Sequence, residues 1–185
     1  MEFWFTDSWQ VSATALIKSA LDAIHRDLSN NGGSGNRVWT EQVLRALIPI
    51  AQGAPVGAAE RIVCALKNPP QGLGCTGEWL YDFSSWIETI KVGGSTGFRG
   101  LPLIAESEWG YWRDIWDDFD KLGQARAGLK VLVFENHARD TPPDWEDRLK
   151  SRLESFEPKG DGEAWLLAAW SNSGFDFRTW PHSRK

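Results

Sequence analysis

The chain has 185 residues, 42% of them hydrophobic, which is enough for one domain with a substantial core. Its formal net charge of −5 excludes the overall basic character typical of nucleic-acid-binding chains, although acids clustered at a metal site would lower the charge without covering a binding face. No apolar run reaches membrane-spanning length, and the N-terminal residues lack the pattern of a signal peptide. Cys64 and Cys75 match no zinc spacing and fit a reducing cytosol, so we expect a cytoplasmic protein without a membrane span.

The N-terminal third of the chain is predicted to be helical. A first helix is expected over 9–29, and a second has its apolar stripe within 43–48. The segment 56–66 also fits a short helix. The apolar residues at helical spacing in the first helix are Val11, Leu16, Ile17, Ala20, Leu21, Ile24 and Leu28.

The middle of the chain is typical of a β-hairpin. Two apolar segments, 79–92 and 98–109, are joined by the glycine-rich sequence at 93–97. We therefore expect two neighbouring antiparallel strands.

The C-terminal half predicts further helices and strands in alternation. A helix over 111–126 precedes a short strand over 129–134, and another helix starts near Asp144. Strands at 163–170 and 175–180 follow. This order predicts a single α/β (α+β) domain over 1–185, with its core at roughly 38–180 and a mixed β-sheet flanked by helices.

Two acids stand at the end of the second hairpin strand. Glu106 and Glu108 follow an apolar run, and because side chains alternate along a strand they should point to the same face. A third acid, Asp82, lies on the first hairpin strand. The midpoint of Asp82 and Glu106 is residue 94, inside the predicted turn, so the two acids should lie level on neighbouring strands.

Acids gathered in this way are typical of a divalent metal site. Mg²⁺ prefers hard oxygen ligands, and a metal of this kind can polarise a phosphate and help to ionise an attacking water. Asp82 and Glu106 are the candidate ligands, with the backbone carbonyl of Ser107 as a third. Glu108 is a candidate for holding the water or a second ion.

This arrangement resembles the PD-(D/E)xK nuclease superfamily, which has the restriction-endonuclease-like fold. That family places an Asp on one strand and (Asp/Glu)-x-Lys on the next, followed by a helix and another strand. The matching features here are Asp82, then Glu106-Ser-Glu108, then the predicted helix and strand, and the resemblance covers roughly 56–135. It implies Mg²⁺- or Mn²⁺-dependent hydrolysis of phosphodiester bonds, with DNA as the substrate.

The chain departs from the family pattern at two positions. Tyr81 stands where a Pro usually precedes the Asp, and Glu108 replaces the usual Lys. Some restriction endonucleases carry Glu at that position, and other family members move the Lys onto the following helix. Lys121 is the candidate for that part. On a helical wheel it lies opposite the aromatic stripe of Trp112, Trp116 and Phe119, which favours a solvent-facing lysine or a pair with Asp117. Catalytic roles are therefore expected for Asp82, Glu106, Glu108 and Lys121.

A second interpretation remains open from the sequence. The chain is alternatively a catalytically silent domain of the same fold that binds a protein partner, for example in a bacterial defence or toxin-immunity system, or that forms a homodimer. The acidity of the chain favours this alternative, and the complete set of acids favours the enzyme. An enzyme should show converging carboxylates with basic side chains at the rim, whereas a cleft closed by Trp favours the binding domain. The candidate rim residues are Arg99, Arg113, Arg126 and Arg139.

Overall fold

Six strands and four helices make up the described part of the protein in the computed structural model. The structure describes residues 7–30, 35–67, 69, 75–77, 80–90, 96–136, 140–156 and 162–182. The helices are α1 (Asp7–Asn30), α2 (Asn36–Gln52), α3 (Trp112–Gln124) and α4 (Trp145–Ser155). The strands are β1 (Glu60–Leu66), β2 (Phe83–Ile90), β3 (Thr96–Glu108), β4 (Ala127–Glu135), β5 (Glu163–Ser171) and β6 (Gly174–His182).

The strands make one mixed sheet in which spatial order follows chain order. β1, β2 and β3 form an antiparallel meander, and β6 is antiparallel to β5. β3, β4 and β5 are parallel, since α3 and α4 return the chain between them. The predicted α+β domain with a mixed sheet flanked by helices is therefore confirmed. Within the described residues, no helix is long and apolar enough to cross a membrane.

Each face of the sheet has its own hydrophobic core. α1 and α2 cover one face, where Leu103 and Ala105 of β3 point. α3 and α4 cover the other, where Ile104 of the same strand packs with Phe119 and Trp165. This alternation follows from the two-residue period of a strand. It places residues 104, 106 and 108 of β3 on the α3 side.

The prediction of a helix over 56–66 is wrong, because β1 occupies Glu60–Leu66. The residues Ile62 and Val63 are β-branched, and such side chains fit a pleated sheet better than a helix. β1 lies at one edge of the sheet and runs antiparallel to β2. Leu66, the last residue of β1, therefore lies beside the start of β2, at the same end of the strands.

The register of the β2–β3 hairpin agrees with the sequence prediction at the end where the acids lie. Phe83 pairs with Ala105 and Ser84 with Ile104, so Asp82 falls level with Glu106. Towards the turn the register shifts, and Glu88 pairs with Phe98. The predicted turn at 93–97 lies in part outside the described residues, which resume at residue 96. The shift in register lies between the turn and the acids.

Candidate functional site

Asp82 and Glu106 meet at the end of the sheet where the central strand β3 finishes. The backbone N–H of Asp82 donates a hydrogen bond of 3.2 Å to Glu106 Oε2. The backbone N–H of Ser107 donates one of 3.2 Å to Asp82 Oδ2. Both acids are buried, with 6% of Asp82 and 1% of Glu106 exposed. The structure thus brings together the two acids that the hairpin register placed level.

Lys121 reaches the same point from α3. Its Nζ lies 2.5 Å from Glu106 Oε1 and 5.6 Å from the centre of the Tyr81 ring. The interpretation of Lys121 as a solvent-facing lysine or a partner of Asp117 is therefore wrong. The buried face of α3 is centred on Ile115, Phe119 and Leu122, while Trp112 and Trp116 are only partly buried.

This rotation of the helix relative to the predicted stripe has a direct consequence. Lys121 lies on the flank of the buried face instead of opposite it. Its ammonium then lies over the Tyr81 ring and beside Glu106, a distance at which a cation is attracted to an aromatic face.

A second lysine, which sequence reasoning missed, pairs with the other acid. Lys67 follows β1, and its Nζ lies 3.1 Å from Asp82 Oδ1. Its backbone N–H also donates a 2.9 Å hydrogen bond to the carbonyl of Asp82. The side chain is half exposed. Recognising β1 as a strand would have placed Lys67 at this sheet edge.

Asp118 is a third carboxylate in the cluster and was also missed. Its Oδ1 lies 4.0 Å from Lys121 Nζ, as expected for residues three apart on a helix. Burial raises the pKa of Asp118 to about 6; the charges of Asp82 and Glu108 also raise it, and Lys121 opposes them. Its position one helical turn before Lys121 is the sequence feature that could have predicted its place in the cluster.

Glu106 carries the strongest perturbation in the cluster. Burial raises its pKa to about 8, and the charges of Asp118 and Asp82 act in the same direction. Lys121 opposes this shift without cancelling it. Burial, with a smaller contribution from Glu106, raises the pKa of Tyr81 as well. Burial is the main cause of these shifts and the neighbouring acids add to it, so a bound cation would favour the ionised form of Glu106.

Glu108 lies on the same face as Glu106 but folds back on its own turn. Its Oε1 accepts a 2.6 Å hydrogen bond from the backbone N–H of Gly110. A Cβ at Gly110 would lie 2.6 Å from that oxygen, so glycine permits the close approach. Glu108 still acts on Asp118 through its charge. Its contacts tie it more closely to the strand exit than to Lys121.

Ser107 contributes its backbone to the acid cluster and its side chain to the opposite face. Its Oγ accepts a 2.9 Å hydrogen bond from Nε1 of Trp109, which packs in the core under α2. Its N–H holds Asp82. The role of its carbonyl as a metal ligand stays a prediction.

The donor set fits a hard divalent cation. Glu106 Oε1 is buried and has an ion-pair partner in Lys121, but it receives no directed hydrogen bond. Across the described ranges, no three His, Cys, Asp or Glu side chains form a ready-made metal-binding group. A cation at this edge would therefore be held by the carboxylates of Asp82 and Glu106, completed by a backbone carbonyl and water.

The basic residues beside the acids are lysines rather than the arginines that the sequence suggested. Arg99 pairs with Glu60, and Arg113 lies 3.9 Å from Asp117 at the surface of α3. Arg126 precedes β4, at the opposite sheet edge, and Arg139 lies outside the described residues. Trp109 does not close the site, because it packs against Trp39 in the other core.

Comparison of the chain with protein-family models, curated proteins and solved structures gave no match. The structure itself defines an α+β domain with a carboxylate–lysine cluster at one end of its central strands.

Proposed function

We propose that this protein is a metal-dependent nuclease that hydrolyses phosphodiester bonds, with DNA as its substrate. The single observation that carries the proposal is the contact of Lys121 with Glu106 at 2.5 Å, beside Asp82. Two acids from neighbouring strands and a lysine from the following helix match the PD-(D/E)xK variant in which the lysine has moved. The chain order α2, β1, β2, β3, α3, β4 is also compatible with that family.

Each residue of the cluster has a distinct proposed role. Asp82 and Glu106, with the Ser107 carbonyl, would hold Mg²⁺ or Mn²⁺, which when bound polarises the phosphate and promotes ionisation of a water. Lys121 places an ammonium beside Glu106, where a fixed positive charge stabilises an attacking hydroxide and the charge that develops on phosphoryl oxygens. The contact of Glu108 with Gly110 makes it the weaker candidate for handling the water.

The salt bridges that the arginines make within the protein favour a substrate that is bound through only a few of its phosphate groups. Most arginines of the described chain already pair with an acid of the protein, which leaves little positive surface for a long duplex. We therefore expect cleavage to fall only shallowly with added salt. These pairs are Arg45–Glu41, Arg61–Glu88, Arg99–Glu60, Arg148–Asp144, Arg152–Asp120 and Arg178–Glu146. The thiols of Cys64 and Cys75 support a place in the reducing cytosol.

A catalytically silent, partner-binding domain is the second candidate. The observation that favours it is that both lysines of the cluster already neutralise an acid, Lys67 at Asp82 and Lys121 at Glu106. A network of this kind can serve only to hold the sheet edge together. The partner would be a protein, as in defence or toxin-immunity systems.

A cleavage assay separates the two candidates. The protein is incubated with single- and double-stranded DNA and RNA in Mg²⁺ or Mn²⁺, beside Asp82→Asn and the surface control Asp117→Asn. The nuclease proposal predicts metal-dependent cleavage that Asp82→Asn abolishes and Asp117→Asn retains, because Asp117 lies outside the cluster and is largely exposed. Absence of cleavage of every substrate in both metals would favour the silent domain.

A further inference from the structure

The two cysteines lie side by side although they are eleven positions apart in the chain. Thr76 forms a parallel bridge with Ala65, so the residues before each of them, Cys75 and Cys64, are neighbours. The N–H of Thr76 donates a 3.0 Å hydrogen bond to the carbonyl of Cys64, and the N–H of Leu66 donates one of 3.3 Å to the carbonyl of Thr76. These two bonds hold Thr76, the residue that follows Cys75, against β1.

The side chains of the two cysteines also share one face. Cys64 belongs to the core under α2, and Cys75 packs against that same core. Neighbouring parallel strands lie about 4.8 Å apart, which is within the Cα separation of roughly 4.4–6.8 Å that a disulfide requires. Both residues are thiols in the structure. We propose that Cys64 and Cys75 form an intramolecular disulfide when the protein meets a low-molecular-weight disulfide oxidant.

The reaction proceeds by two thiol–disulfide exchanges. The thiolate of Cys75, the more exposed residue, attacks one sulfur of the oxidant RSSR, forming a mixed disulfide and releasing RS⁻. Cys64 then loses its proton to solvent, and its sulfur attacks Cys75 Sγ and releases the second RS⁻. Two protein thiols and one RSSR thus become one protein disulfide and two RSH, the protein sulfurs being oxidised and the oxidant sulfurs reduced.

Burial determines the order and the persistence of this reaction. It raises the pKa of the Cys64 thiol to about 12, and it raises the pKa of Cys75 too. Cys64 therefore reacts second and slowly. A reduced pair that gains nothing from thiolate stabilisation does not resist oxidation at equilibrium, so the disulfide persists once formed.

The ring that the disulfide closes contains Lys67, which links it to the acid cluster. Lys67 is held to Asp82 by its backbone N–H and by its ammonium. Oxidation would therefore link Cys64 to Cys75 across the segment that carries this lysine. The inference stands independently of the nuclease proposal, because it requires only the juxtaposition of the two thiols.

The test is oxidation of the purified protein with oxidised glutathione, followed by intact mass and peptide mapping. The wild-type protein should lose both thiols, become lighter by two hydrogen atoms, and give one linked peptide containing Cys64 and Cys75. Cys64→Ser should stop with one glutathione on Cys75, whereas Cys75→Ser should keep its thiol because Cys64 is only 3% exposed. Should either variant fail to fold, the wild-type peptide map decides alone.

Three results would overturn the proposal. These are a wild-type protein that stops at the mixed disulfide, one that forms disulfide-linked dimers, and one that keeps both thiols. The melting temperature gives a further measure, because a ring closed in its native geometry should raise it by roughly 5–10 °C. A melting temperature that is unchanged or lower after oxidation would show that the thiols are not placed for a native bond.

Discussion

Lys121 Nζ lies 2.5 Å from Glu106 Oε1, so α3 returns a positive charge to the buried carboxylate at the end of β3. The two residues are fifteen positions apart and on different elements. A buried acid of this kind needs a partner, since an isolated charge is costly away from water. The contact makes Lys121 the best-placed cation of the cluster.

Replacing Lys121 should weaken the metal-free protein. Lys121→Ala leaves Glu106 buried without its ion-pair partner, and protonation of Glu106 limits the loss to about 1–2 kcal/mol of unfolding free energy. Urea denaturation at pH 9, above the raised pKa of Glu106 of about 8, measures this, with Lys150→Ala on the exposed side of α4 as the control. In the cleavage assay the same variant should lose turnover while keeping its response to Mn²⁺. A Lys121→Ala protein as stable and as active as the control would show that Lys121 neither stabilises Glu106 nor supports turnover.

Glu106 should make the stability of the metal-free protein depend on pH. Its pKa is raised from 4.5 to about 8, so the folded protein holds this proton more tightly than the unfolded chain does. The free energy of unfolding should then fall as pH rises from about 5 to about 8, by at most ~1.4 kcal/mol per pH unit for this group.

Glu106→Gln should flatten this dependence, because the amide does not titrate. Urea denaturation at several pH values measures it, with the exposed Glu154→Gln as the control that keeps the wild-type slope. Asp118, whose pKa is raised to about 6, leaves a smaller slope of the same sign below pH 6 in every variant that retains it. A Glu106→Gln profile parallel to that of the wild type would contradict a perturbed Glu106.

A second buried charge pair lies towards the opposite end of the inner strands β4 and β5. Lys130 Nζ lies 2.8 Å from Glu163 Oε2, and both side chains are fully buried. Lys130→Met alone should cost about 3–5 kcal/mol, since it leaves a buried carboxylate behind. The double variant Lys130→Met/Glu163→Leu should recover much of that loss. Urea denaturation decides, and a single variant that loses less than about 1 kcal/mol would show that the pair adds little.

Part of this site could be predicted from the sequence, because strand geometry is simple. The two-residue period placed Glu106 and Glu108 on one face, and the hairpin midpoint placed Asp82 level with Glu106. The register shifts between Ser84 and Ile87 and between Ile87 and Glu88 do not disturb this, since both lie on the turn side of the acids. The sequence pattern was sufficient to place these acids because their positions depend only on the pairing of β2 with β3.

The rest of the site depends on packing that no local pattern contains. The rotation of α3 depends on which of its apolar residues the sheet buries. The sequence placed Trp112 and Trp116 on the buried stripe beside Leu122, whereas the structure buries Leu122 fully and both Trp only in part. That difference decides whether Lys121 faces solvent or Glu106. Lys67 was missed because the apolar residues of β1 also fit a helical stripe, and only pairing with β2 identifies the strand.

Binding of Mn²⁺ can be measured without knowledge of the substrate, and it reports directly on a metal centre at Asp82 and Glu106. Electron paramagnetic resonance reports free Mn²⁺ as the protein is titrated. Mn²⁺ should bind specifically at the cluster, and Asp82→Asn and Glu106→Gln should each abolish this binding while Asp117→Asn retains it. Specific binding that survives both substitutions, or its absence in the wild type at millimolar Mn²⁺, would contradict a metal-dependent centre at Asp82 and Glu106.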